Sequence, residues 1–161
     1  TTHHESRTTN HESRLIDLIM WRHADAESGM PDDERRLTAK GIKQAERMAA
    51  WLKEQLPKDA VILASPARRA RETAQALSRK FEVTEELGAG ATPEAVLKAA
   101  GWPRGEGTVL VVGHQPTLGQ TAALLLAGKP QEWSIKKGAI WWLARRDRET
   151  VLRAVIAPDL L

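Results

Sequence analysis

A mostly apolar run that stops at two basic side chains is the feature that most constrains this chain. The run extends from Leu15 to Trp21 and is followed at once by Arg22 and His23. Short apolar runs between polar residues are typical of buried strands in a sheet that is covered on both faces. Ligands of open α/β sheets bind beyond the carboxyl ends of such strands. We therefore expect Arg22 and His23 at the mouth of a cleft, although an isolated pair of this kind is more often a solvated strand end.

Short strands alternate with helices along the rest of the chain. In chain order we predict strands at 15–21, 60–64, 81–85, 107–113, 138–143 and 150–157, and helices at 38–56, 66–80, 93–100 and 115–127. This alternation predicts a three-layer α/β/α fold with a mostly parallel central sheet and a C-terminal antiparallel hairpin. Thr38 and Ser65 are the predicted N-caps of the first two helices, and Leu37 should pack against Ile42 across the first cap.

Length and composition set limits on the class of protein. The chain has 161 residues, of which 42% are hydrophobic and 28% charged, which fits one soluble domain at 15–161 after a disordered polar leader at 1–14. No apolar run approaches the roughly 20 residues that span a bilayer, so we expect no membrane segment and take the cytoplasm as the default location. A monomer is expected. The absence of cysteine excludes disulfides and thiolate catalysis.

The charged residues favour neither nucleic acid nor a metal. The net charge of +3 is too small to indicate nucleic-acid binding, although Arg68 and Arg71 flank Arg69 in a short basic patch. Outside the leader the only histidines are His23 and His114. With so few histidines and no cysteine, we expect no metal and no cofactor.

Basic side chains follow three of the predicted strands. Arg22 and His23 end the first, Arg69 lies one turn into the helix after the second, and His114 follows the fourth. Because parallel strands present their carboxyl ends at one edge, these side chains can converge. Helix N-termini at the same edge favour an anion, so the sequence predicts a metal-free phosphate pocket. Taken singly, His114 could be a structural histidine and Arg69 a solvated or ion-paired helix residue.

Four motifs in this order carry a resemblance to a known family. They are Arg22-His23; Leu37, Thr38, Gly41, Gln44 and Ala45; Ser65, Pro66, Arg69 and Ala70; and Gly113-His114. The set resembles the motifs of the histidine phosphatase superfamily, which has the phosphoglycerate-mutase-like fold, and is most similar to those of the short SixA-type phosphohistidine phosphatases. The resemblance implies a metal-independent phosphatase in which His23 forms a phosphohistidine intermediate. It also implies that Arg22, Arg69 and His114 bind the phosphate.

The chain departs from the family pattern at three places. Ala24 stands where many members have glycine, and Arg36 stands where SixA-like chains often have proline. Larger members carry an acidic proton donor after the third strand, whereas residues 87–91 contain no carboxylate here. Glu85 and Glu86 are nearby but out of register.

The missing acid favours one class of substrate. An alcohol, with a pKa near 15.7, needs a proton as it leaves, whereas an imidazole, with a pKa of about 6.5, leaves more easily. We therefore expect the substrate to be phosphohistidine on a partner protein, such as a histidine-containing phosphotransfer protein in signal transduction. The short connections suggest an open pocket that would admit such a partner.

Other interpretations of the site stay open. Asp25, Glu27 or Asp33, on the loop after His23, could supply a proton, and the substrate would then be a small phosphoester or phosphoanhydride. A non-catalytic adaptor that recognises phosphate is the alternative of another class. For the enzymatic interpretation, the two arginines are expected to lower the pKa of His23 and keep its ring neutral.

Overall fold

A six-stranded sheet forms the middle layer of the fold. The computed structural model describes residues 15–161, so the predicted leader lies outside the described residues. The strands are β1 (Ile16–Arg22), β2 (Val61–Ala64), β3 (Glu82–Val83), β4 (Gly107–Gly113), β5 (Ile140–Arg146) and β6 (Glu149–Ile156), and the helices are α1 (Ala39–Gln55), α2 (Arg68–Leu77), α3 (Pro93–Ala100) and α4 (Thr117–Ala127). The strand order is β3-β2-β4-β1-β5-β6, with the first four parallel and β5 and β6 antiparallel. This confirms the predicted mostly parallel sheet with a C-terminal hairpin.

The side chains of the central strand β1 alternate between two apolar layers. Ile19 and Trp21 pack with residues of α1 and α2, whereas Leu18 and Met20 pack with residues of α3 and α4. All four are fully buried, as expected for a strand covered on both faces. The three-layer arrangement is therefore confirmed. Among the described residues, no helix is both long enough and apolar enough to cross a bilayer.

Helix α1 begins as predicted and buries one face, but Ile42 does not belong to that face. The Thr38 hydroxyl oxygen accepts the backbone N–H of Gly41 at 3.0 Å, which confirms the N-cap. A Cβ on Gly41 would overlap the carbonyl oxygen of Asp25, so only glycine lets the helix approach the segment after His23 this closely. The prediction that Ile42 packs inward is wrong, because that side chain is 49% exposed.

Helix α2 starts two residues later than predicted. The side chain of Ser65 does not cap the helix but accepts the N–H of Ala67 at 3.1 Å, within the turn that leads to Arg68. The same hydroxyl lies 2.8 Å from Nε2 of His114. Ser65 is therefore part of the sheet edge. The prediction that it caps the helix is wrong, and its hydroxyl instead contacts His114, which is distant in sequence.

A buried carboxylate organises the amino-terminal end of β1. Asp17 is 7% exposed and accepts hydrogen bonds from Trp142 at 2.7 Å, Arg146 at 2.8 Å and Arg153 at 2.6 Å. Burial raises the pKa of Asp17, but these hydrogen bonds outweigh burial and hold the pKa below its ordinary value. We call these four residues the Asp17 cluster.

Candidate active site

Peptide hydrogen bonds align the strand ends that carry the predicted site. The backbone N–H of His23 donates to the carbonyl of Gly113 at 3.0 Å, and that of Ser65 donates to the carbonyl of Val112 at 3.0 Å. His23, Ser65 and His114 consequently leave the sheet side by side. The ring centroids of His23 and His114 are 5.2 Å apart, although 90 residues separate them in sequence. The structure thus brings together the two imidazoles of the predicted pocket.

The protonation of His23 follows from its hydrogen bond. Its Nδ1 lies 2.8 Å from the carbonyl oxygen of Ala24. Because a carbonyl can only accept, Nδ1 carries the hydrogen and Nε2 keeps its lone pair. Burial, together with the charges of nearby groups that include Arg69 and Arg22, lowers the pKa of His23 to about 3 against the opposing hydrogen bond. The expected lowering by the arginines is confirmed, with burial as the larger cause.

Arg69 and Ser65 hold the second imidazole. The Arg69 side chain is 4% exposed, and its Nη2 lies 3.4 Å from Nδ1 of His114. Since a guanidinium can only donate, Nδ1 is the acceptor and Nε2 donates its hydrogen to Ser65. Burial and, to a smaller extent, the charge of Arg69 lower the pKa of His114 to about 4, while Asp32 acts in the opposite direction.

The two arginines keep unused hydrogen-bond donors at this edge. Arg22 is half-buried and donates from Nη1 to the carbonyl of Ile135 at 2.7 Å. Within residues 15–161, the buried side-chain polar atoms without a hydrogen-bond partner are Nε of Arg22 and Nε of Arg69. An unpaired buried donor costs about 1–3 kcal/mol. The fold therefore tolerates uncompensated cationic donors at the place where an anion would bind.

The predicted proton donors are engaged away from the two histidines. Asp25 pairs with Nζ of Lys137 at 2.9 Å and accepts the hydroxyl of Thr38 at 2.7 Å. These contacts lower the pKa of Asp25, so its carboxyl stays ionised and has no proton to give near neutral pH. Glu27 pairs with Arg36 at 3.0 Å. Asp25 is therefore poorly suited as an acid, and Glu27 is engaged in an exposed ion pair.

Asp32, which motif spacing gives no reason to select, is the acidic residue in contact with the site. Its carboxylate accepts from Nη2 of Arg69 at 3.0 Å, and its carbonyl oxygen accepts from Nη1 at 2.8 Å. The other carboxylate oxygen accepts from Arg35 at 3.0 Å. Burial raises the pKa of Asp32, but the two arginines lower it by more. The acidic run Asp32–Glu34 on the loop after His23 was the available signal.

Other charged residues named from the sequence lie outside this arrangement. Arg68 pairs with Glu72 at 3.1 Å, and Nε of Arg71 donates to the carbonyl of Pro66 at 3.0 Å. Arg68 and Arg71 thus each contact a partner of their own and do not form one free basic surface with Arg69. In the part of the chain that the structure describes, no three histidine or acidic side chains gather as a metal site would need.

Comparison of sequences shows a similarity to one family. The family model described as "Histidine phosphatase superfamily (branch 1)" matches residues 18–89. An uncharacterized protein of Mycobacterium leprae is 35% identical over 100 residues, which make up 60% of this chain and 61% of that protein. The match thus spans less than two thirds of the length of that curated relative.

Comparison of structures agrees with the sequence similarity. The protein histidine phosphatase SixA, solved in complex with tungstate, is 26% identical with a TM-score of 0.76, over 89% of this chain and 98% of that one. A phosphoglycerate mutase of Bacillus anthracis is 17% identical with a TM-score of 0.70, over 93% of this chain and 96% of that one. The second likeness is one of fold, and it confirms the predicted phosphoglycerate-mutase-like architecture.

Proposed function

We propose that this chain, which is similar to the histidine phosphatase superfamily over residues 18–89 and to SixA in its fold, is a phosphatase that works through a phosphohistidine intermediate at His23. One observation carries the proposal: the neutral ring of His23 lies 5.2 Å from His114, with the guanidinium of Arg69 against the second ring. A neutral imidazole can attack phosphorus, and fixed cations stabilise the charge that develops on the phosphoryl oxygens.

The first step is an in-line transfer of the phosphoryl group to Nε2 of His23. The Nε2 lone pair forms the new P–N bond, and the bond to the leaving group breaks with its electron pair departing on that group. The positive charge of the phosphorylated ring is shared with Nδ1–H, which donates to the carbonyl of Ala24. Arg22 and Arg69 neutralise the equatorial oxygens in the transition state.

His114 changes its role when the phosphate binds. Its Nδ1 is an acceptor toward Arg69 in the free protein. A dianion placed beside the ring raises its pKa from the low resting value and favours a proton on Nδ1. The protonated ring then donates to a phosphoryl oxygen. Water finally attacks the phosphorus, the P–N bond to His23 breaks with its electron pair returning to Nε2, and inorganic phosphate leaves.

The proposed substrate is phosphohistidine on a partner protein, such as a histidine-containing phosphotransfer protein. The absence of a carboxylate at residues 87–91 supports this proposal, as does the pairing of Asp25 with Lys137. A site without an acid is better suited to an imidazole than to an alcohol, whose pKa is near 15.7. SixA, similar in fold and sequence, is described as a protein histidine phosphatase.

Trapping the covalent intermediate tests the mechanism. Mixing the protein with a phosphohistidine domain and quenching in alkaline denaturant, which preserves the acid-labile P–N bond, should add one phosphoryl group to the peptide that contains His23. The variant His23→Asn should show no adduct and at least a 10³-fold loss of turnover, because the nucleophile is gone. An adduct on a peptide with His3 or His11 instead, or normal turnover by the variant, would contradict the proposal.

A comparison of substrates tests the specificity. Phosphate release from the phosphohistidine domain should exceed release from an aryl phosphate and from a sugar phosphate at equal concentration. Faster release from the sugar phosphate would indicate a phosphoesterase. Tight binding of the phosphohistidine domain without release would indicate an adaptor.

A further inference from the structure

Asp32 places a negative charge where a phosphate dianion is expected. Its carboxylate contacts Arg69 at 3.0 Å and lies close enough to His114 to raise the pKa of that ring. A like charge beside a bound dianion weakens its binding. The Asp32 side chain is 52% exposed, whereas that of its partner Arg69 is 4% exposed, so Asp32 is open to a ligand while it contacts the buried guanidinium.

We propose that Asp32 determines specificity by accepting the N–H of the leaving imidazole of phosphohistidine. This inference rests on the proposed function and names the residue that selects its substrate class. The carboxylate offers about four acceptor sites, of which Arg69 and Arg35 each use one. The half-exposed side chain therefore keeps acceptor capacity for a ligand at the rim of the pocket.

The bond changes explain why a carboxylate helps this leaving group. One ring nitrogen of phosphohistidine holds the phosphorus, and the other carries a hydrogen when the ring is protonated. A charge-assisted hydrogen bond from that N–H to Asp32 favours the protonated ring. As Nε2 of His23 bonds to phosphorus, the old P–N bond breaks with its electron pair passing to the departing nitrogen. The imidazole then leaves in its neutral form, and its N–H remains hydrogen-bonded to the carboxylate of Asp32.

An alcohol gains nothing from the same carboxylate. An alkoxide has no N–H to donate and needs a proton as it departs. Asp32 has no proton to give, because Arg69 and Arg35 hold its pKa below the ordinary carboxyl value. The same ionised group therefore favours an imidazole leaving group and disfavours an alkoxide.

The variant Asp32→Asn separates this role from simple positioning. Asparagine keeps an oxygen that can accept from Arg69, and the backbone carbonyl contact to Arg69 is unchanged. The kcat/KM for a phosphohistidine domain should fall about 10- to 100-fold, as expected for the loss of one charge-assisted hydrogen bond. The kcat/KM for 4-nitrophenyl phosphate should stay level or rise, because a repulsive charge is removed.

Two further variants serve as controls for Asp32→Asn. Glu34 lies in the same exposed turn and, in the described residues, has no ion pair with the site, so Glu34→Gln should leave kcat/KM for both substrates unaffected. Asp32→Glu retains the charge and should keep part of the preference for phosphohistidine. Thermal melts of each variant show whether the fold is intact, and the ratio of the two kcat/KM values does not depend on the folded fraction.

Each outcome decides between the readings. An equal loss of kcat/KM on both substrates in Asp32→Asn would mean that Asp32 only positions Arg69. Unchanged kcat/KM on both substrates would mean that Asp32 has no role in selection. Either result overturns the inference and leaves the proposed function standing. If the unmodified protein cleaves 4-nitrophenyl phosphate through His23 but not phosphohistidine, the proposed substrate is wrong and the inference falls with it.

Discussion

The two ends of β1 carry polar clusters that are built in opposite ways. At the amino-terminal end, Asp17 accepts three donated hydrogen bonds, and its charge is balanced by Arg146 and Arg153. At the carboxyl end, Arg22 keeps a buried Nε donor unpaired, and the adjoining ring of His23 is held neutral by burial and nearby cations. In the first cluster the buried carboxylate has its hydrogen bonds in place, whereas in the second Arg22 and Arg69 each keep a buried Nε without a partner.

The difference separates stability from function along a single strand. A buried carboxylate whose donors are all in place stabilises the folded state, while unpaired buried donors destabilise it. On the proposed function, we expect a phosphate to supply part of the missing hydrogen bonding at the second cluster. Substitutions in the two clusters should therefore change different measurements.

The largest effect is expected from Arg69→Gln. Loss of this guanidinium should lower kcat/KM by about 10²- to 10³-fold, as for removal of a donor that acts on the transition state. The free energy of unfolding should change by less than about 1 kcal/mol, because Asp32, 52% exposed, becomes hydrated, and because removal of the unpaired buried Nε of Arg69 offsets the contacts that the guanidinium loses. Steady-state kinetics measures kcat/KM, and urea denaturation measures the free energy of unfolding. A variant that loses stability but keeps activity would contradict the difference between the two clusters.

Asp17→Asn should show the reverse behaviour. We expect a loss of about 2–3 kcal/mol in the free energy of unfolding, somewhat less than for a fully buried pair because Arg146 and Arg153 are 36% and 47% exposed. The kcat per folded molecule should not change. Asp59→Asn, at an exposed position, is the control and should stay within about 0.5 kcal/mol of the unmodified protein. A drop in kcat for Asp17→Asn would contradict the separation.

The two clusters should also respond to acid over different ranges of pH. The pKa values of His23 and His114, about 3 and about 4 in the folded chain, lie below the ordinary 6.5. Between these values the unfolded chain binds protons that the folded chain does not, so stability falls as the pH decreases from 6.5, approaching about 1.4 kcal/mol per pH unit for each ring. The pKa of Asp17 is lowered, so its contribution is lost only below the ordinary carboxyl pKa of about 3.9.

A histidine variant tests this assignment. His114→Asn removes one of the two rings and should roughly halve the slope of unfolding free energy against pH between about pH 6 and pH 4.5. Urea denaturation at a series of pH values measures the slope. An unchanged slope would show that groups other than these two rings cause the loss of stability in weak acid.

The smallest effect is expected from Arg153→Gln. Asp17 keeps its hydrogen bonds from Arg146 and Trp142, so the loss should be at most about 1 kcal/mol, including the contact between the Arg153 guanidinium and the Trp142 ring at 4.8 Å. Chemical denaturation measures it. A loss as large as that of Asp17→Asn would mean that the three donors act as one unit.

Local sequence was a good guide to the strands and a poor guide to what packs around them. The apolar runs that end at His23 and His114 predict both strand ends, because burial on two faces leaves a clear pattern. The exposure of Ile42 was not predictable in the same way, since helical spacing does not show that Gly41, next to it, is the residue that lies against Asp25.

The role of Ser65 and the position of Asp32 depend on distant parts of the chain. Ser65 has the sequence of a helix cap, yet its hydroxyl is engaged by His114, 49 residues away. Asp32 reaches Arg69, 37 residues away, because the long loop after β1 folds back over the strand ends. A contact between a loop and a distant helix leaves no periodic pattern in the sequence.

The hydrogen bond from His23 to Gly113 has a consequence for engineering. The spacing of the two imidazoles is fixed by backbone pairing between neighbouring strands, so inserting one residue into either strand would displace a ring by about 3.3 Å and turn it toward the opposite helical layer. A designer who wants this scaffold to accept a new leaving group should therefore leave both strands untouched. The segment from 25 to 36 is the part to rewrite.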